Sequence, residues 1–183
     1  MNGLKIIEDT EYEYMEELFY HEGFFLVAKN DKYGIIDKSR KIVIPLIYDD
    51  YLTESKSKFL TACKNDKYGL IDLDNNVIIP FEYDVIRDYL PESLIVKKNG
   101  KYGFISINNE PLTEFKYDDL LTFDGFENYV AKLGDKYGIV DKNLNIITDF
   151  IYEKWILSGN TLTLAGNLLE IMLKSSAELS KNR

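Results

Sequence analysis

The tripeptide Lys-Tyr-Gly occurs four times, with its tyrosine at Tyr33, Tyr68, Tyr102 and Tyr137, at intervals of 35, 34 and 35 residues. A second tyrosine follows each of these by 15 residues, at Tyr48, Tyr83, Tyr117 and Tyr152. No gap is needed between the paired tyrosines in any copy, and all variation in length falls between one second tyrosine and the next Lys-Tyr-Gly. Chance does not give four ungapped copies of such a frame. A chain built this way is an array of repeated supersecondary units, none of which can bury its apolar surface alone.

Each copy reads as three short strands. The first carries the tripeptide, as in Lys32-Tyr-Gly-Ile-Ile-Asp37; polar turn residues such as Asn75-Asn76 and Asn108-Asn109 follow it. The second is typified by Val77-Ile-Ile-Pro-Phe-Glu-Tyr83 and the third by Ser93-Leu-Ile-Val-Lys97. Asn30-Asp31, Asn65-Asp66, Asn99-Gly100 and Gly134-Asp135 precede the tripeptides, and such pairs suit two-residue hairpins with positive φ. Paired apolar residues such as Ile35-Ile36 break strict alternation. Neighbouring strand residues point to opposite faces, so both faces must be covered, as in sheets stacked on sheets. The expected fold is therefore mainly β: antiparallel three-stranded repeats stacked in an open, solenoid-like superhelical array. A closed, propeller-like ring is the alternative, disfavoured because a propeller blade has four strands and this unit supplies three.

The expected divisions of this single repeat domain are a partial repeat over 4–31, repeats over 32–66, 67–100, 101–135 and 136–166, and a capping helix over 167–180. The partial repeat rests on Thr10-Glu-Tyr-Glu-Tyr14, which matches Thr113-Glu-Phe-Lys-Tyr117 and equates Tyr14 with the second-tyrosine column. The helix rests on Asn167 with Glu170 as a capping box, and on Leu168, Leu169, Met172 and Leu173 at helical spacing. Its apolar side is expected to cover the last repeat or, alternatively, to bind a partner.

At these residues the chain resembles the WG-repeat, or KWG-repeat, family of bacterial proteins. That family's unit is Lys-Trp-Gly-Tyr-Ile-Asp, a polar turn, and then Ile-Pro-x-x-Tyr-Asp. Lys32-Tyr-Gly-Ile-Ile-Asp37 with Ile44-Pro-Leu-Ile-Tyr-Asp49, and Lys67-Tyr-Gly-Leu-Ile-Asp72 with Ile79-Pro-Phe-Glu-Tyr-Asp84, fit closely. The resemblance covers about residues 5–165. Tyrosine replaces the tryptophan in every copy, Ser106 replaces the first aspartate of the third, and Glu114 and Asp149 replace the proline in the third and fourth. The resemblance implies a repeat fold and binding roles, with no shared enzymatic activity and so no catalytic residues to carry over.

The residue types that could carry chemistry recur once per copy. Recurrence at every repeat is what structural necessity produces, so the two tyrosine columns are expected to be core or corner residues, with a sugar-stacking ladder as the alternative. Gly34, Gly69, Gly103 and Gly138 are expected to permit close backbone approach or a bulge. Asp37, Asp72 and Asp141 form one acidic column and Asp49, Asp84, Asp118 and Glu153 another. One carboxylate per copy is not a calcium loop, and aspartate at a strand end closes turns. Lys29 and Lys32, Lys64 and Lys67, Lys98 and Lys101, and Lys132 and Lys136 bracket the hairpins and would make a basic ridge if the copies stack in register.

Composition narrows the function classes. A net charge of −9 sets nucleic acid aside as a partner. No apolar run approaches a membrane span, and no signal-peptide core opens the sequence, so a cytoplasmic location is expected. One cysteine, Cys63, and one histidine, His21, leave no disulfide, thiolate cluster or triad to build. The expectation is a non-enzymatic protein-binding scaffold with no cofactor or metal and with an oligomeric state the sequence does not set. Glycan or cell-wall binding through an aromatic ladder is one alternative, and a toxin-neutralising immunity protein is another.

Overall fold

The computed structural model of the 183-residue chain describes residues 11–54, 59–89, 93–122, 128–141, 145–158, 161–165 and 170–174. The strands are β1 (Tyr14–Glu17), β2 (Phe24–Lys29), β3 (Lys32–Asp37) and β4 (Ile42–Tyr48) in a first sheet, then β5 (Thr53–Glu54), β6 (Leu60–Lys64), β7 (Lys67–Ile71) and β8 (Val77–Tyr83) in a second. β9 (Val85–Tyr89) pairs antiparallel with β10 (Ser93–Lys98), and β11 (Lys101–Ser106) follows in the chain. A further four-stranded sheet holds β12 (Asp119–Thr122), β13 (Asn128–Leu133), β14 (Lys136–Asp141) and β15 (Ile146–Tyr152). The last sheet is β16 (Lys154–Ser158), β17 (Thr161–Ala165) and β18 (Glu170–Lys174). Among the described residues there is no helix, and so none long and apolar enough to cross a membrane.

Three of the sheets are four-stranded antiparallel meanders, so three strands is not the count of the full unit, and that expectation is corrected. The strand missed by sequence reading is the first of each sheet: β5, β9, β12 and β16 lie in the segment of variable length after the second tyrosine. They are short or mixed in polarity, and pairing with the following strand is what makes them strands. Four is the strand number of a propeller blade, so the premise that favoured an open array over a ring does not hold. A sheet therefore begins after one second tyrosine and ends at the next, offset from the Lys-Tyr-Gly frame. The Asn-Asp hairpins lie inside sheets, with φ of 52° and 57° at Asn30 and Asp31 and of 54° and 59° at Asn65 and Asp66. Two consecutive positive values are those of a type I′ turn, whose twist matches the flanking strands.

The C-terminal helix is likewise corrected. Residues 170–174 form β18, which pairs antiparallel with β17 in the register Leu162↔Leu173 and Leu164↔Ile171; 167–169 and 175–180 lie outside the described residues. A five-residue run Glu-Ile-Met-Leu-Lys has apolar residues that satisfy a period of two as well as one of 3.6, and the open edge of β17 decides between them. Pairing satisfies the backbone of that edge, which a helix laid on the face would have left exposed.

The chain divides into two compact units, Met1–Asn99 with Ile105–Glu110, and Gly100–Phe104 with Pro111–Arg183. In the first unit Leu26, Ile35 and Ile44 of the first sheet meet Leu52, Leu60, Ala62 and Ile71 of the second in one buried cluster. The opposite face of the first sheet is also apolar, with Val27 and Ile36 fully buried beside Tyr12 and Met15. Ile35 and Ile36, and Leu70 and Ile71, are therefore buried on opposite faces, which accounts for the broken alternation in the sequence. In the second unit Val130 and Ile139 pack against Leu162 and Leu164. The sheet that supplies those leucines differs from the others: β17 alternates, with Leu162 and Leu164 fully buried and Thr163 between them half-buried. Ile156, paired across from Thr163, is 56% exposed, so that face of the sheet is open while the leucine face is covered.

Candidate functional site

The tripeptide glycine faces a bulge. In the first sheet the register between β3 and β4 shifts on either side of Ile35, and β7 and β8 repeat the same shift around Leu70. The shift brings the partner backbone inward: a Cβ built on Gly34 would lie 2.6 Å from the Ile44 carbonyl oxygen and 2.9 Å from the Leu46 nitrogen. Pro45 and Pro80 sit at these bulges on edge strands, where a missing N–H removes no ladder bond.

The second tyrosine of each copy is core. Tyr48, Tyr83, Tyr117 and Tyr152 are each 2 or 3% exposed. Two of their hydroxyls reach forward to the next copy: Tyr48 donates to Asn75 Oδ1 at 2.5 Å and Tyr83 to Asn109 Oδ1 at 2.6 Å. Rings follow the same step, with Tyr48 against Phe81 and Tyr117 against Phe150, at centroid distances of 5.9 Å in both. The tripeptide tyrosines are less enclosed: Tyr102 is buried, while Tyr33, Tyr68 and Tyr137 are half-buried.

The hairpin lysines meet the second acidic column. Lys32 pairs with Asp49, Lys67 with Asp84, Lys101 with Asp118, and Lys136 with Glu153. Two of these carboxylates also hold the following hairpin: Asp49 accepts from the Asn65 N–H and Asp118 from the Gly134 N–H. Lys98 pairs with Glu82 at 2.8 Å and lies over the Tyr83 ring, Lys132 lies over Tyr137, Lys29 over Tyr12, and the Lys64 charge helps to lower the Asp49 carboxyl. The eight lysines are thus met one by one by carboxylates or rings rather than forming a bare basic ridge. The first acidic column closes turns. Asp37 accepts from the N–H groups of Ser39 and Lys41, Asp72 from that of Asn76, and Asp141 from that of Asn145. Ser106 does the same work in the third copy, accepting from Asn108 and Glu110.

These networks set a pH dependence. Lys32, then the Asn65 N–H, holds the Asp49 carboxyl below its usual range, and Lys101, then the Gly134 N–H, does so for Asp118. A carboxyl lowered in the folded state contributes stability above its unfolded value and loses it as pH falls through its folded one, so stability should decline on acidification below about pH 4. At the other end, the bond to Asp50 holds the Tyr68 phenol up to about 12, and burial holds that of Tyr83 there too. Stability they contribute is full below the unfolded value of about 10 and is lost as pH rises above it. Urea unfolding midpoints measured across pH should fall at both ends, and Asp49→Asn should flatten the acid limb.

The partial copy at the N-terminus is in a different register from the one the sequence suggests. The Glu13 N–H donates to the Ala28 carbonyl as the Asp49 N–H does to that of Cys63, and Glu13 Oε1 accepts from the Asn30 N–H as Asp49 accepts from Asn65. Tyr12, 9% exposed, therefore holds the second-tyrosine place, two residues before Tyr14. The turn that receives the forward hydroxyl in other copies, at Asn75 and Asn109, has Arg40 in the first sheet, with φ of 67°. Left-handed φ costs an ordinary L-residue about 1 kcal/mol or more and asparagine less. Arg40→Asn should therefore raise stability by roughly 0.5–1 kcal/mol, read as a higher urea midpoint at unchanged slope. A groove of about 330 Å³ lies beside this region, lined by Glu11, Tyr12, Lys29, Asn30, Lys32, Ile42 and Leu46.

Two features were missed in the sequence. The first is an exposed apolar position that recurs on edge strands. Ile42, Val77 and Ile146, at the first position of β4, β8 and β15, are 54 to 55% exposed. The second is Glu16, which is 8% exposed and accepts hydrogen bonds from Tyr14 and Tyr51. Among the described residues no group of three or more histidines, cysteines or carboxylates is placed to hold a metal. His21 is half-buried in the turn before β2, and Cys63 is buried, its thiol pushed up by burial.

Antiparallel sheets built on a repeated frame, packed face to face within each unit, define a β-repeat protein. The family model described as "WG containing repeat" matches three times, over 33–68, 68–102 and 102–137. The chain belongs to that family. No curated protein matches it by sequence. Among solved structures, a eukaryotic initiation factor is 13% identical, with 94% of this chain and 52% of that one covered at a TM-score of 0.51, a likeness of fold alone. Kluyveromyces lactis Hsv2 is 10% identical over 93% of this chain and 60% of its own, at a TM-score of 0.48. PorZ, a surface component of the type-IX secretion system of Porphyromonas gingivalis, is 12% identical over 87% and 24%, at 0.41.

Proposed function

We propose that this chain is a non-enzymatic scaffold that binds another protein through its exposed edge strands. The observation that carries the reading is the apolar position recurring at Ile42, Val77 and Ile146, each more than half exposed on the last strand of its sheet. Ile47 and Ile151, five residues on, are 40 and 55% exposed. Apolar side chains on a strand whose outer backbone is unpaired are what a protein partner can cover, by contact or by adding a strand. The repeating polar groups support the same reading, because the carboxylate, lysine and tyrosine columns are engaged within the fold. An aromatic ladder for glycan is not favoured, since the second-tyrosine rings lack the free face that stacking on a sugar needs.

The test is comparative capture. The chain and its Ile42→Asp, Val77→Asp double variant are immobilised and exposed to lysate of the source organism. Both positions are exposed, so the variant should melt close to the parent. A protein retained by the parent and lost from the variant is the expected result, to be reconstituted with the purified partner. The same set of proteins on both would reject these strands as the binding surface.

A further inference from the structure

Glu16 stands apart from the other carboxylates of the first unit. Asp49, Asp84 and Glu82 are partly exposed and each meets a lysine. Glu16 is on β1, paired across from Leu26, and is 8% exposed. Both of its hydrogen bonds come from phenols, Tyr14 and Tyr51, and both fall on Oε2. Among the described residues, Oε1 accepts no hydrogen bond and no cationic side chain pairs with the group. Two hydroxyls orient a carboxylate without neutralising it, and a buried carboxylate lacking a counter-charge is costly.

The surroundings suit a cation. Tyr14 and Tyr51 meet edge to face with centroids 6.0 Å apart, and Tyr33 lies 6.4 Å from Tyr51 at 60°. The Glu16 carboxylate at the hydroxyl ends of Tyr14 and Tyr51, with the Tyr33 ring beside Tyr51, offers a cation both a carboxylate and cation–π attraction. Tyr51 is 36% exposed, which brings the cluster to the surface. We infer that Glu16, with the rings of Tyr14, Tyr33 and Tyr51, forms a binding site for an alkylammonium group, presented as a lysine side chain or as a free amine. The site is independent of the edge-strand surface proposed above.

The experiment is a titration of the full chain, carrying ¹³C-labelled tyrosine, followed through the aromatic resonances. The probes are n-butylammonium chloride, Nα-acetyl-lysine methylamide and, as the neutral control, 1-butanol. Saturable shifts with the two cations and none with butanol are expected, with affinity falling at least about tenfold in Glu16→Gln. Tighter binding of the lysine derivative identifies a side chain as the natural ligand, and equal or tighter binding of butylammonium a free amine. Tyr51→Phe removes one hydroxyl donor but keeps the ring and the charge, so it should bind the cation several-fold more tightly. It serves as the readout if Glu16→Gln does not fold. No saturable shift, an equal response to butanol, unchanged affinity in folded Glu16→Gln, or unchanged or weaker affinity in Tyr51→Phe would each overturn the inference.

Discussion

Gly69→Ala should destabilise the protein by roughly 3 kcal/mol, at the upper end of overpacking effects, and should do so without touching a polar interaction. The new Cβ would sit 2.6 Å from the Ile79 carbonyl oxygen and 3.1 Å from the Pro80 carbonyl carbon. Both are backbone atoms of β8, held by the bulge, so neither can step aside as a flexible side chain would. Gly34→Ala should behave alike, against Ile44, Pro45 and Leu46. The third copy provides an internal comparison. At Gly103 the two nearest atoms belong to side chains, the Phe115 ring at 3.0 Å and the Thr113 hydroxyl at 3.1 Å, and the nearest backbone atom, the Glu114 carbonyl oxygen, stands off at 3.2 Å. Gly103→Ala should therefore cost markedly less. Urea unfolding of the three variants tests the order, and equal losses would reject the bulge as the reason for the glycine.

Tyr83→Ala should cost about 3–5 kcal/mol, the range for losing a buried aromatic ring. Tyr83 is 2% exposed, and its hydroxyl ties β8 to the Asn109 turn. Tyr83→Phe keeps the ring and removes that bond, leaving a half-buried amide oxygen with one donor fewer, and should cost about 1–2 kcal/mol. Tyr68→Ala should cost less than Tyr83→Ala, because Tyr68 is half-buried and donates to the exposed side chain of Asp50. The second tyrosine of the frame, rather than the Lys-Tyr-Gly tyrosine that makes the repeat visible, is thus the larger stabilising element. Measured free energies in the reverse order would refute that ranking.

The period of the sequence by itself determined that the protein is a β-repeat array. Lys-Tyr-Gly, its partner tyrosine and the Asn-Asp pairs are local: a hairpin with two positive φ values and a glycine beside a bulge depend on residues near in sequence, so spacing and residue type reveal them. Paired isoleucines revealed the need for two covered faces. Tertiary structure decided the rest. Thr53–Glu54 and Val85–Tyr89 are strands only because the next strand offers them a ladder. Glu170–Lys174 is a strand because β17 has an edge to satisfy. Tyr12, not Tyr14, occupies the core column because backbone bonds at Glu13 set the register, while side-chain similarity favoured the other alignment. Glu16 was hidden for a related reason. Tyr51 is 35 residues away, and no pattern in one chain segment records that folding brings two phenols onto one buried carboxylate. Short-range geometry is written in residue types, whereas edge pairing and charge compensation depend on which distant groups the stacked sheets bring together.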